Sequence, residues 1–300
     1  MPQHPILFSI VVPTYNRGHL IVGTIVNILA QTYPHFELII VDDGSTDNTE
    51  EVIQKYLSDK VLYFKKDNAE RAAARNYGTQ KAKGDYVNWF DSDDMMYPHH
   101  LQEALKVIER YDRPEIFAHS YEHRSASGQV LETYIHSDDI NAELILGNRI
   151  GNSPVMVRRD IAFTNPYNED RGLSGSEDYE LWLRLAAQYK IYSCPQITLA
   201  VIFHQGNSTL TMSNPDQLVT RYTRFIHYTT ANEKLVTFLG KQKNTFVMKN
   251  YLLLAVDLVI NKHQTLARKY LKMAFDSSSS VLIEKGFLVF IKYYAKNIFS

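Results

Sequence analysis

Cysteine is almost missing: among 300 residues Cys194 stands alone. An intramolecular disulfide and any metal site built from several thiolates are thereby excluded, and a reducing compartment is indicated. Long apolar runs are missing as well. No stretch of about 18 uninterrupted apolar residues occurs, so no spanning helix is predicted. The richest candidate, 281–298, is broken by Glu284, Lys285, Lys292 and Lys296. Met1 to Pro5 lacks the basic start and apolar core of a secretion signal. Nor is there an excess of one charge. Lys and Arg number 32 against 33 Asp and Glu, a net of −1, which argues against electrostatic binding of nucleic acid. A cytoplasmic protein is expected, with no nucleic-acid partner.

What remains is ordinary globular material, 45% apolar and 22% charged, ample for a sizeable core. At about 100–200 residues per domain, the length suits one large α/β domain and a smaller appendage. The first hundred residues alternate short β-branched runs with helical spacing. Strands are predicted over 8–12, 36–41, 61–64 and 86–90. Helices are predicted over 18–31, after the capping residues Ser45-Thr46-Asp47, and over 71–83, where Gly84 stops the last. Such alternation implies a mostly parallel sheet flanked by helices, whose ligands bind beyond the carboxyl ends of the strands. Helices at 101–111 and 177–189 and a strand at 116–124 follow. From 215 onward only helical spacing is found, over 215–239, 242–261, 263–275 and 280–298. The division is therefore drawn at 1–211 for the α/β domain and 212–300 for a helical C-terminal region.

Acidic clusters mark the strand ends. Asp91-Ser92-Asp93-Asp94 packs three carboxylates into four residues after the fourth strand. Alone, this reads equally as a solvated turn capping a helix or as a site for Mg²⁺ or Mn²⁺, which take one or two carboxylates plus substrate phosphates. Asp42-Asp43-Gly44-Ser45-Thr46-Asp47 ends the second strand. Ser45 and Asp47 suffice to cap a helix, so Asp42 and Asp43 are surplus to that need. Carboxylates there suit a nucleobase N–H or ribose hydroxyls. Pro13-Thr14-Tyr15-Asn16-Arg17 follows the first strand, where Tyr15 could stack on a base; an ordinary turn explains it equally well.

In order and spacing, PTYNR, VDDGSTD, the Arg-Asn pair of AARNYG and the strand-terminal DSDD resemble the inverting family 2 glycosyltransferases of the GT-A (Rossmann-like) fold. The resemblance covers residues 6 to about 210. It implies that Asp43 bonds a pyrimidine, with Pro13 and Tyr15 completing the base pocket, while Asp42 holds the loop. Thr14, Arg17 and Ser92 fall on the same nucleotide-facing segments. Asp91 matches the acid that approaches the ribose, and Asp93 the one that binds the metal; in some relatives the ligand falls at the position of Asp94. Arg71 or Arg75 supplies a basic contact to the nucleotide. Glu177-Asp178 matches an acidic pair whose aspartate is the general base, there to take a proton from an attacking hydroxyl. At a helix N-terminus Asp178 is expected to keep its charge and act as a moderate base. Glu177 and Trp182 are placed at the acceptor, an aromatic face being suited to sugar C–H surfaces. His204 matches a late histidine that reaches metal or diphosphate in several members, although Ile202 stands where an arginine is usual.

The implied reaction transfers a sugar from a nucleotide-sugar, with UDP favoured, to a glycan, glycolipid or glycoprotein hydroxyl in bacterial polysaccharide or glycan biosynthesis, assisted by Mn²⁺ or Mg²⁺. Two other classes share parts of this pattern. A nucleotidyltransferase should carry a Gly-rich basic loop after the first strand, and a non-catalytic nucleotide or sugar module needs neither DSDD nor Asp178. Finally, 280–298 mixes Phe287, Leu288, Phe290 and Ile291 with lysines. It is expected either to pack, to form a homodimer contact, or to touch the inner face of the cell membrane beside a lipid-linked acceptor.

Overall fold

The computed structural model describes residues 4–204 and 213–299. Its first half follows the predicted alternation: β1 (Phe8–Thr14), α1 (Ile21–Leu29), β2 (Phe36–Asp42), α2 (Thr49–Gln54), β3 (Val61–Lys65), α3 (Glu70–Lys81) and β4 (Tyr86–Trp89). A short β5 (Met95–Met96) precedes α4 (His100–Arg110), β6 (Ile116–Ser125), β7 (Val130–Tyr134) and α5 (Ile140–Leu146). Then come β8 (Val155–Arg158), α6 (Arg159–Thr164), α7 (Glu177–Ala186) and β9 (Ile191–Phe203). The strands form one sheet in the order β3-β2-β1-β4-β8-β6-β9-β5, with β7 against β6.

Continuous apolar strands need cover on both faces, and β1 and β2 are buried along their whole length. Parallel pairing holds from β3 to β4, as expected. Beyond β4 the sheet is mixed rather than mostly parallel: β8 runs antiparallel to both β4 and β6, while β6 and β9 are parallel. Four-residue β8 carries too little pattern to be read from sequence, and it reverses the sheet next to the acid-bearing strand end. Helix α3 lies close over β1 because Gly78 has no side chain; a Cβ there would meet Val11 Cγ1 at 2.3 Å. Gly44, at φ +83°, makes the turn after β2 that few other residues tolerate.

Two compact units divide the described residues, those of Met1–Arg171 with Glu177–His204 and those of Gly172–Ser176 with Gln205–Ser300. The expected boundary at 211/212 lies outside the described residues, and the adherence of Gly172–Ser176 to the second unit had no sequence signal. There Ser176 Oγ accepts from Arg221 Nε at 2.8 Å. The second unit holds α8 (Pro215–Ala231), α9 (Glu233–Leu239), α10 (Lys243–Ile260), α11 (Gln264–Ser277) and α12 (Lys285–Phe299). The single helix expected over 215–239 is two, because Asn232 turns extended and its side chain caps the amides of Lys234 and Leu235. Likewise 280–298 begins as a 3₁₀ turn, Ser279–Ile283, before α12. Leu218, Leu252, Leu254, Leu258, Val281 and Phe290 are among the residues forming this unit's own core.

Candidate active site

The parallel strands deliver the acids to one sheet edge. Asn16, at φ 51°, stitches the first two loops: its Oδ1 accepts from the amides of Thr46 (2.8 Å) and Asp47 (3.3 Å), and its own amide donates to Ser45 Oγ. Pro13 and Thr14 are buried within β1, and the hydroxyl of Thr14 has no partner among the described residues. Of this segment's expected nucleotide contacts, Tyr15 (47% exposed) and Arg17 reach solvent. Asp42 is fully buried, accepting from the Ser45 amide and from Tyr63 Oη at 2.7 Å each, so it holds the loop. Burial and the Asp42 carboxylate keep the Tyr63 phenol protonated far above its usual range. Asp43, expected at the base, accepts from Lys66 Nζ at 2.6 Å and from the Ala69 amide at 3.0 Å.

The three acids of DSDD go to three different partners. Asp91 Oδ1 accepts from Arg75 Nη2 (2.7 Å) and Asn152 Nδ2 (3.0 Å). Asp93 Oδ2 meets His204 Nε2 at 2.9 Å and Arg17 Nη1 at 3.6 Å. Asp94 points inward, accepting from Ser153 Oγ at 2.5 Å and from the Ile202 amide at 3.3 Å. Burial, then the charges of Asp91 and Asp93, push its carboxyl well above the usual range. Of the two acids left open as metal ligand, Asp93 is the one brought to an imidazole. Ser92 is buried and touches the fold through its carbonyl, which accepts from Thr24 Oγ1.

Arg75 joins the far side of the site. Its side chain is 2% exposed; Nη1 donates to Glu177 Oε1 at 3.0 Å while Nη2 holds Asp91. Arg75 is thus an internal strut, and Glu177, at 3% exposure, is its anchor rather than an acceptor contact. Arg71, with 31% of its side chain exposed and Nε 3.3 Å from Glu177, is the arginine of the pair that reaches solvent. Next to Glu177, half-buried Asp178 accepts from Asn148 Nδ2 at 3.0 Å and from the Tyr179 amide. Burial, then the Glu177 charge, raise its pKa to about 6 against the opposing pull of Arg75. Desolvation outweighs the helix dipole, so the carboxyl sits above the usual range yet still carries its charge at neutral pH. Trp182 is also corrected. It is fully buried between Trp89 and Tyr167, donates Nε1–H to the Gly151 carbonyl at 2.7 Å, and offers no face to a sugar.

Residues 147–154 carry no motif, yet Asn148, Asn152 and Ser153 bond Asp178, Asp91 and Asp94 respectively. Their only sequence signal is two asparagines, each preceded by a glycine that adopts positive φ, Gly147 and Gly151. Among the described residues no three His, Cys, Asp or Glu side chains converge as a metal cage. Asp93 with His204 instead offers one carboxylate and one imidazole: the carboxylate suits Mn²⁺ or Mg²⁺ completed by phosphate oxygens and water, and the imidazole favours Mn²⁺ of the two. That pair fits the expected cofactor.

Known proteins resemble this chain in sequence and in fold. The family described as Glycosyl transferase family 2 matches residues 9–154. An uncharacterised glycosyltransferase of Haemophilus influenzae is 34% identical over 173 residues, 55% of this chain and 68% of the relative. Another from Rickettsia typhi is 29% identical over 217 residues, 69% of this chain and 67% of the relative. Three longer relatives are spanned only to between 32% and 40% of their length. In structure, Staphylococcus aureus TarS 1–349, solved with UDP-GlcNAc, superposes with a TM-score of 0.65 at 16% identity, covering 92% of this chain and 91% of that one. The fold is that of the GT-A enzymes.

Proposed function

This chain belongs to glycosyl transferase family 2 and is a glycosyltransferase, and we propose that it is an inverting, metal-dependent one using a UDP-sugar. The observation that carries the proposal is the Arg75 guanidinium. By bonding Asp91 and Glu177 at once, it fixes the donor-side acids and the raised carboxylate of Asp178 in one site. Tyr15 stacks on the base, Asp43 bonds its edge once Lys66 shifts, and Arg71 meets the nucleotide phosphates. Asp93 and His204 would hold a divalent cation, Mn²⁺ or Mg²⁺, which when bound would supply Lewis-acid compensation for charge on the leaving diphosphate.

The acceptor hydroxyl oxygen forms the new bond to the anomeric carbon as the bond to the diphosphate oxygen breaks, its electron pair leaving with UDP. Asp178 takes the hydroxyl proton. Attack opposite the leaving group inverts the centre, turning an α-linked donor into a β-linked product. TarS was solved with UDP-GlcNAc, which supports UDP as the nucleotide class. The acceptor is a glycan, glycolipid or glycoprotein, in bacterial envelope glycan assembly.

The test is a nucleotide-sugar panel assayed for released nucleotide with Mn²⁺ or with EDTA. Metal-dependent release of UDP from one donor, abolished in Asp178→Asn when acceptor is supplied, is expected. Release that ignores EDTA, or that survives Asp178→Asn at the wild-type rate, contradicts the mechanism.

A further inference from the structure

Helix α12 has two apolar faces, and only one of them is used. On the inner face Phe290 is 4% exposed, with Phe287, Tyr293 and Tyr294 packed on the same core. Gly286 lets the helix come close to α10, since a Cβ there would already stand 3.2 Å from Leu252 Cδ2. On the other side Leu288, Val289 and Ile291 are 67%, 37% and 48% exposed, and just before the helix Leu282 and Ile283 are 60% and 86% exposed. Isolated exposed leucines are normal on protein surfaces; five large aliphatic side chains within 282–291 are not.

Charge surrounds them in one sign. Lys285, Lys292 and Lys296 are exposed and lie three or four residues from Leu288, Val289 or one another, so they share the helix surface with the aliphatic residues. Arg268, Lys269 and Lys272 are exposed on α11, as is Phe275. Between residues 262 and 300 there are seven Lys or Arg and two acids, in a chain whose net charge is −1. One of the two acids, Glu284, is engaged by Lys249 at 3.4 Å.

We propose that this face docks on an anionic phospholipid bilayer. A second protein surface, or a second copy, would have to bury these lysines among aliphatic groups, and protein interfaces are depleted in lysine. A symmetric dimer would also bring like charges together. A bilayer accepts both features. Leu282, Ile283, Leu288 and Ile291 enter the acyl boundary, while lysine stems lie along it and their ammonium groups reach lipid phosphates. Among the described residues no helix is long and apolar enough to cross a membrane, and surface docking needs none.

Full-length protein is incubated with phosphatidylcholine vesicles, with and without phosphatidylglycerol, and vesicle-bound protein is separated by flotation. Wild type is expected to float with the phosphatidylglycerol vesicles and to be released by salt. Lys285→Glu/Lys292→Glu should weaken partitioning about thirtyfold or more, the two lost lysines contributing roughly 1 kcal/mol each and the added acids acting in the same direction. Ile283→Ser/Leu288→Ser should weaken it to a similar degree. Circular dichroism and UDP binding check that the variants remain folded, and the wild-type comparison of the two vesicles needs no variant at all. Equal flotation with both lipids, no flotation with either, or flotation indifferent to Ile283→Ser/Leu288→Ser overturns the proposal. So does a wild-type dimer in sedimentation that the serine variant dissolves while vesicles remain unbound.

Discussion

Asp93 Oδ2 and His204 Nε2 lie 2.9 Å apart although 111 residues separate them in sequence. One sits in the turn after β4 and the other just beyond the end of β9. The sheet brings them together because β9 pairs with β6 and with β5, the short strand right after the acid cluster. This is the donor set on which the metal assignment rests. The consequences for the rest of the site can be measured separately.

With Asp178 as base, only its deprotonated form turns over. Its pKa of about 6 sets the direction: kcat/KM, which reports the free enzyme, rises about tenfold per pH unit below 6 and levels above it. Steady-state rates from pH 4.5 to 8.5 read this directly. A flat profile across pH 6 would remove Asp178 from the role.

Asn148 bonds the same carboxylate and so favours its charged form. Asn148→Ala should lower kcat by roughly tenfold, leave donor KM unchanged, and move the acidic limb of the profile to higher pH. A loss confined to stability, with the limb unmoved, would mark Asn148 as structural only.

How much of this could be read from the chain depends on where each partner lies. Strands β1, β2 and β4 were legible because a buried parallel strand is a continuous apolar run, and their acids followed at once. The division of labour among Asp91, Asp93 and Asp94 was not. It is set by Arg75, His204 and Ser153, which are 16, 111 and 59 residues distant. Trp182 was misplaced for a related reason: helical spacing shows that a residue lies on a helix but not which neighbour covers it. The upward pKa shift of Asp178 was not legible either, since desolvation is a property of packing. Strand β8 was missed because four residues carry almost no period.

Arg75 and Arg71 should separate cleanly. Arg75→Met leaves Glu177 buried without its main counter-charge and should cost about 3–5 kcal/mol of stability. Arg71→Ala should change stability by less than about 1 kcal/mol, since its side chain is a third exposed, yet weaken UDP binding. Chemical denaturation and calorimetric titration of the two variants distinguish them; equal destabilisation would contradict the strut role of Arg75.

Two buried imidazoles make the fold acid-sensitive. His100 and His119 lie ring against ring, tilted by 34° with centroids 4.1 Å apart, and among the described residues neither nitrogen of His119 has a partner. Burial pushes His100 down to about 3 and His119 well below its ordinary value. The unfolded chain, with histidines near 6.5, then takes up protons that the native state refuses. Stability is complete above about pH 6.5 and falls as pH drops towards 3, by about 1.4 kcal/mol per unit for each histidine. Urea midpoints at pH 7.5 and 5.5 test this, and His119→Leu should reduce the difference.

The most direct test of the central claim is calorimetric binding of UDP with Mn²⁺ to wild type, Asp93→Ala, His204→Ala and Asp178→Asn. Metal-dependent binding is expected in wild type and in Asp178→Asn, weakened tenfold or more in the other two. UDP binding that needs no metal, or that survives Asp93→Ala and His204→Ala unchanged, would contradict the donor site described here.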